Sequence, residues 1–169
     1  MTIRDYRELA QSLDNRIRDA HDLRIWQEAA DRSRVDGVGS MPPWQRDLIS
    51  RLLSIDEPFD YLTFTYPESG TCRLVAFTAS YIVDAKILPL AHGEYSIQSF
   101  RVRGRSDIES IRVETISSVP FESVDWPIRI TLQLQLGDED LPLPLDRYAS
   151  RSNMAELVRF YPSILRSLS

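Results

Sequence analysis

The sequence predicts an α+β protein. N-terminal helices lead into about seven mostly antiparallel strands forming a barrel or sandwich, and a C-terminal amphipathic helix follows. Three observations carry this. Apolar residues recur at helical spacing up to about residue 57, at strand spacing from residue 58, and at helical spacing again after residue 152. The strand-like runs follow one another through short turns with no helix between them, which argues against a parallel doubly wound sheet. Ile128, Ile130, Leu132, Leu134 and Leu136 alternate strictly with polar residues, as a strand with one core face and one water face requires.

Residues 3–34 contain neither Gly nor Pro. Ile3, Tyr6, Ala10, Leu13, Ile17 and Ala20 recur at alternating spacings of three and four, which puts them on one helical stripe that drifts on to Leu23, Trp26 and Ala30. Thr2 with Asp5 has capping-box spacing, and Asp5 and Glu8 lie where the helix dipole favours acids. The stripe is expected to pack on the chain's own sheet; the same stripe set against a second copy would make a homodimer through helix 3–34. "VDGVGSMPP" ends this helix, and the proline pair opens a second, from Pro43 to about Leu53.

Strands are expected at 59–66, 71–78, 80–88, 96–103 and 127–136, with a further one around Ile111 and Val113. In the third of these, Tyr81, Val83, Ala85 and Ile87 face one way and Asp84 and Lys86 the other. "GDED" (137–140) turns the chain, and "LPLPL" can only be an edge strand because two prolines remove ladder donors. The last helix covers roughly 153–168, with a kink or restart at Pro162. The division is a helical N-terminal extension over 1–57 and an antiparallel β-domain with its C-terminal helix over 58–169, together one compact unit.

The β-region resembles the pleckstrin-homology-like barrel, particularly its bacterial versions. The residues that carry the likeness are "LVAFTASYIVDAKI", "RSDIESIRV", "WPIRITLQLQLG" and "LVRFYPSILRSL", spread over about residues 59–168. The resemblance implies seven strands and a terminal helix, and a module that binds proteins or peptides along a sheet edge or beside that helix. The lipid-binding members place cations between the first two strands. Here that loop is "PESG", with Glu68 and no cation, so phosphoinositide binding does not carry over. The long first helix is also similar to the nuclear-transport-factor-2-like superfamily. That alternative implies a cone-shaped barrel with a small-molecule or catalytic pocket, lined by Tyr61, Tyr81, Asp84 and Arg101.

The chain carries a formal charge of −5, which repels nucleic acid and anionic membrane, so no nucleic-acid partner is expected. A single cysteine, Cys72, fits a reducing compartment, and no run is long and apolar enough to span a bilayer. Without a secretory h-region at the N-terminus, the expected location is cytoplasmic. All basic residues but Lys86 are arginine, as codon bias in a GC-rich genome would produce. His21, His92 and Cys72 form no paired ligand motif, and the acidic turn 137–140 is too short for a calcium loop, so no metal is expected. Phosphate-cradling glycine motifs and a nucleophile elbow are absent, so no cofactor and no catalytic residue is assigned. Cys72 reads as a buried inert thiol, and His92 beside Glu94 as a surface turn rather than a general base. A non-enzymatic binding or scaffolding module with a protein partner is the leading expectation.

The candidate ligand contacts are Arg101, Arg103, Arg105 and Trp126. In "SFRVRGRSDIESIRV" (99–113) the arginines could grip a phosphate or line the solvent face of a strand junction. Asp107, Glu109 and Glu114 offset them, and the solvated face is favoured. Trp126 and Phe121 sit in the apolar loop "SVPFESVDWP", which offers a partner patch if exposed and plugs the barrel end if buried; burial is favoured.

Overall fold

The computed structural model describes residues 3–20, 42–65, 71–90, 95–117, 129–145 and 149–168. Helix α1 (Ile3–Ala20) and helix α2 (Pro43–Leu53) precede seven strands: β1 (Tyr61–Thr65), β2 (Cys72–Phe77), β3 (Tyr81–Pro89), β4 (Tyr95–Gly104), β5 (Ser110–Ser117), β6 (Arg129–Leu136) and β7 (Glu139–Leu143). Helix α3 (Arg151–Leu165) follows. Pro43 is the first residue of α2, where its missing N–H costs no intrahelical bond. Helix α3 runs through Pro162 without ending.

The strands form two antiparallel sheets, β1-β2-β3-β4 and β5-β6-β7, with no ladder joining them among the described residues. Of barrel and sandwich, the arrangement is the sandwich. β7, with Pro142 in it, is an edge strand as that proline requires. The β6–β7 turn is tighter than the four-residue "GDED" expectation. Gly137, at φ 65°, takes the left-handed conformation a two-residue turn needs, and Glu139 is already ladder-paired with Leu136.

The four-stranded sheet is the middle of three layers. Leu62, Phe64, Cys72, Leu74, Ala76, Val83, Ala85 and Ile87 project from one face and are buried under α1 and α2, against Leu13, Ile17, Leu48 and Leu52. Tyr61, Val75, Phe77 and Ile82 project from the other face, into a second core with Ile130, Leu132, Leu134 and Leu141 of the smaller sheet and Leu157, Phe160 and Ile164 of α3. Phe160 lies at the centre of this second core, stacked on Tyr61 (5.4 Å between ring centroids) and tilted against Phe77 (5.1 Å). The α1 stripe is thus buried on the chain's own sheet through Leu13, Ile17 and Ala20; residues 21–34 lie outside the described set.

A polar joint ties the first helix to the last. Ser150, the N-cap of α3, accepts a hydrogen bond from the Asn153 amide, while its hydroxyl donates to the Asp19 carbonyl at the end of α1. Asn153 is buried and fully engaged: its amide nitrogen donates to the Leu62 carbonyl at 2.5 Å and its oxygen accepts from the Tyr61 hydroxyl at 3.0 Å. Burial pushes the Tyr61 hydroxyl well above its ordinary pKa, so it stays a donor.

Candidate functional site

The three arginines of the basic run, two residues apart along the chain, go to three different environments. Arg101 is exposed on β4 opposite Asp84, and among the described residues it makes no ion pair. Arg103 donates to Glu139 across the gap between the sheets at 2.8 Å. The same carboxylate takes Arg73 at 2.6 Å, and Arg73 also grips Asp84 with two bonds of 2.9 and 3.0 Å. Burial lowers Arg73 from its ordinary value, but hydrogen bonds and charge from Asp84 and Glu139 outweigh it and raise it overall. Burial also raises Glu139, and Arg103 and Arg73 outweigh that to hold its carboxyl below the usual range. Glu139 is therefore a bridge between the sheets rather than part of a solvated hairpin tip.

Arg105 departs furthest from a solvated junction, being only 6% exposed. Gly104 ends β4, a short 3-10 turn (Arg105–Asp107) follows, and the guanidinium turns inward. It donates to the Ser163 carbonyl at 2.7 Å, the Thr78 carbonyl at 3.1 Å and the Ser167 hydroxyl at 3.0 Å, and it lies 5.3 Å over the Phe160 ring. Burial lowers its pKa, with Asp60 at 3.6 Å acting in the opposite sense. Arg105 thereby pins the end of α3 beside the segment that leads into β5. Trp126, with Phe121, His92 and Glu94, lies outside the described residues.

The four polar residues of the pocket alternative do not converge. Tyr61 is buried against Asn153, Asp84 is held by Arg73, and Tyr81 and Arg101 are exposed. Cys72 is buried, and burial pushes its thiol up to about 12, as an inert core cysteine requires. Among the described residues no three His, Cys, Asp or Glu side chains gather as a metal cluster, and no helix is long and apolar enough to cross a membrane.

One surface that residue-by-residue reading missed is the strand β5. It pairs with β6 alone among the described residues. Ile111, Val113 and Ile116 stand opposite Leu134, Leu132 and Ile130, so all three project on the core side of the sheet. A bulge that leaves Glu114 unpaired keeps Ile116 on that side. Ile111 is half-buried against the second core, but the rest of the row is left uncovered: Val113 is 37% and Ile116 47% exposed. Leu165 and Leu168, at the end of the helical segment that Arg105 anchors, are also exposed. The sequence signal was present in the alternation of Ile111 and Val113, but burial of the facing layer is a non-local fact.

The fold and this surface define a class: an α+β protein whose two antiparallel sheets and terminal helix carry a partly apolar strand edge that is unpaired among the described residues. Comparison with protein-family models, with curated proteins and with solved structures finds no match to the chain.

Proposed function

We propose that this chain is a cytoplasmic, non-catalytic peptide-recognition module, built on a pleckstrin-homology-like sandwich, that takes an extended segment of a partner protein as an added strand on β5. The observation that carries it is the edge of β5 that no described strand pairs with, with Ile111, Val113 and Ile116 on its core side. The unpaired N–H and C=O groups of an edge strand bond an incoming backbone, and alternate side chains of the peptide then rest on the apolar row. Supporting the scaffold assignment are the four-plus-three antiparallel order of the sheets and the helix that closes their shared core.

Selection from a randomised display library of extended peptides tests the proposal. Binders with alternating apolar residues are expected on the wild type, with protection of β5 amides in hydrogen exchange, and loss in a Val113→Glu, Ile116→Glu double variant. Failure to select any such peptide, or undiminished binding by the double variant, would overturn it.

A further inference from the structure

A second surface, remote from β5, lies on the helical side of the molecule. A groove of about 430 Å³ runs between α1 and the end of α2 with the segment that joins it to β1. One wall is Leu9, Ser12, Leu13 and Arg16, residues spaced three and four apart along two turns of α1. The other is formed by Leu52, Leu53, Ile55 and Phe59, with Asp56 and Glu57 beside them. The groove is thus elongated along the helix and largely apolar inside.

Its charges are unbalanced. Arg16 is already engaged, donating to the Phe59 carbonyl at 2.8 Å and to Glu156 at 3.4 Å. Glu57 accepts the Ser80 amide at 3.0 Å, and hydrogen bonds from Thr78 and Ser80 hold its carboxyl below the usual range. Neither Asp56 nor Glu57 has a cationic partner among the described residues. The groove therefore presents two acidic side chains beside an apolar trough, and its natural complement is apolar with a positive flank.

The walls also decide the backbone of the occupant. They are α1, the last turn of α2 and an irregular segment, and none of the lining residues belongs to a strand that could satisfy an extended peptide. A helix satisfies its own backbone groups and needs only side-chain contacts. We infer that this groove docks an amphipathic helix of a partner protein, with apolar residues at i, i+3 or i+4 inside the trough and Lys or Arg opposite Asp56 and Glu57.

The test is fluorescence anisotropy with three labelled peptides of about four turns: an amphipathic Leu/Lys helix, the same helix with Glu in place of Lys, and a Leu/Lys scramble with no apolar stripe. The Leu/Lys helix is expected to bind about ten-fold tighter than either control. Asp56→Asn with Glu57→Gln should cut that preference over the Leu/Glu helix to about two-fold, by removing the charge and leaving the trough. Leu9→Glu, at an exposed position, should abolish binding without unfolding the chain, which circular dichroism checks. The β5 double variant should bind as the wild type does. Equal binding of the Lys and Glu helices, binding that survives Leu9→Glu, no binding at all, or loss in the β5 variant would each overturn the inference.

Discussion

In the four-stranded sheet, neighbouring residues of one strand serve two separate cores. Leu74 and Ala76 of β2 pack under the helices, while Val75 and Phe77 pack against the smaller sheet and α3. β6 of the smaller sheet behaves differently: Ile130, Leu132, Leu134 and Leu136 are buried, and none of the intervening Thr131, Gln133 and Gln135 is. Farther out, on β5, two of the core-side residues, Val113 and Ile116, are exposed. Burial thus decreases across the molecule from a doubly covered sheet to a bare edge. The covered side supplies stability, and the bare side supplies backbone groups free to pair with something else.

Mutation should follow that gradient. Phe160→Ala, at the junction of both sheets and α3, is expected to cost about 3–5 kcal/mol in urea unfolding. A loss below about 1 kcal/mol would mean that the two sheets do not share one core. Arg105→Met should cost about 2–4 kcal/mol, since the carbonyls of Thr78 and Ser163 lose a charged donor in a buried site. Arg101→Gln, four residues earlier in the chain, should stay within about 0.5 kcal/mol of wild type. Equal effects would erase the distinction between the two arginines.

Glu139→Gln should cost about 1 kcal/mol at neutral pH, by weakening the bridge from β7 to Arg73 and Arg103. The sign of its pH dependence follows from its lowered carboxyl. The contribution is complete above the unfolded carboxylate pKa and is lost as pH falls through the lower folded value. Wild type should therefore lose more stability than the glutamine variant between roughly pH 5 and pH 3, read from melting temperatures. The smallest effect belongs to the bare edge. Val113→Thr and Ile116→Thr should each change stability by less than about 0.5 kcal/mol, while weakening any strand added to β5.

Much of the fold could be read from local pattern. Strand spacing of two, the prolines of β7 and the uninterrupted stripe of α1 each depend on residues close together in sequence. The double burial of the central sheet could not be read this way. Alternation assigns Thr63, Arg73 and Asp84 to a water face, but the smaller sheet packs over that face and buries Thr63 and Asp84. The continuous apolar run Leu74–Phe77 was the one local hint. The three arginines likewise look alike in sequence, and only Arg105 meets carbonyls supplied from distant positions at Thr78 and Ser163. The groove beside α1 arises the same way, from segments far apart in the chain, so its residues carried no motif to find, while the β5 row showed only the alternation of Ile111 and Val113.

The hydroxyl of Ser150 and the carbonyl of Asp19 are separated by 131 residues. At typical synthesis rates of about 5–20 residues per second, α1 would wait on the order of ten seconds before the residue that caps it is made. Until β4 has been made, Leu13, Ile17 and Ala20 have no finished sheet to rest on. Over that stretch of synthesis the apolar face of α1 is open to whatever else binds an apolar helix, and a holding chaperone on the ribosome would find a target there.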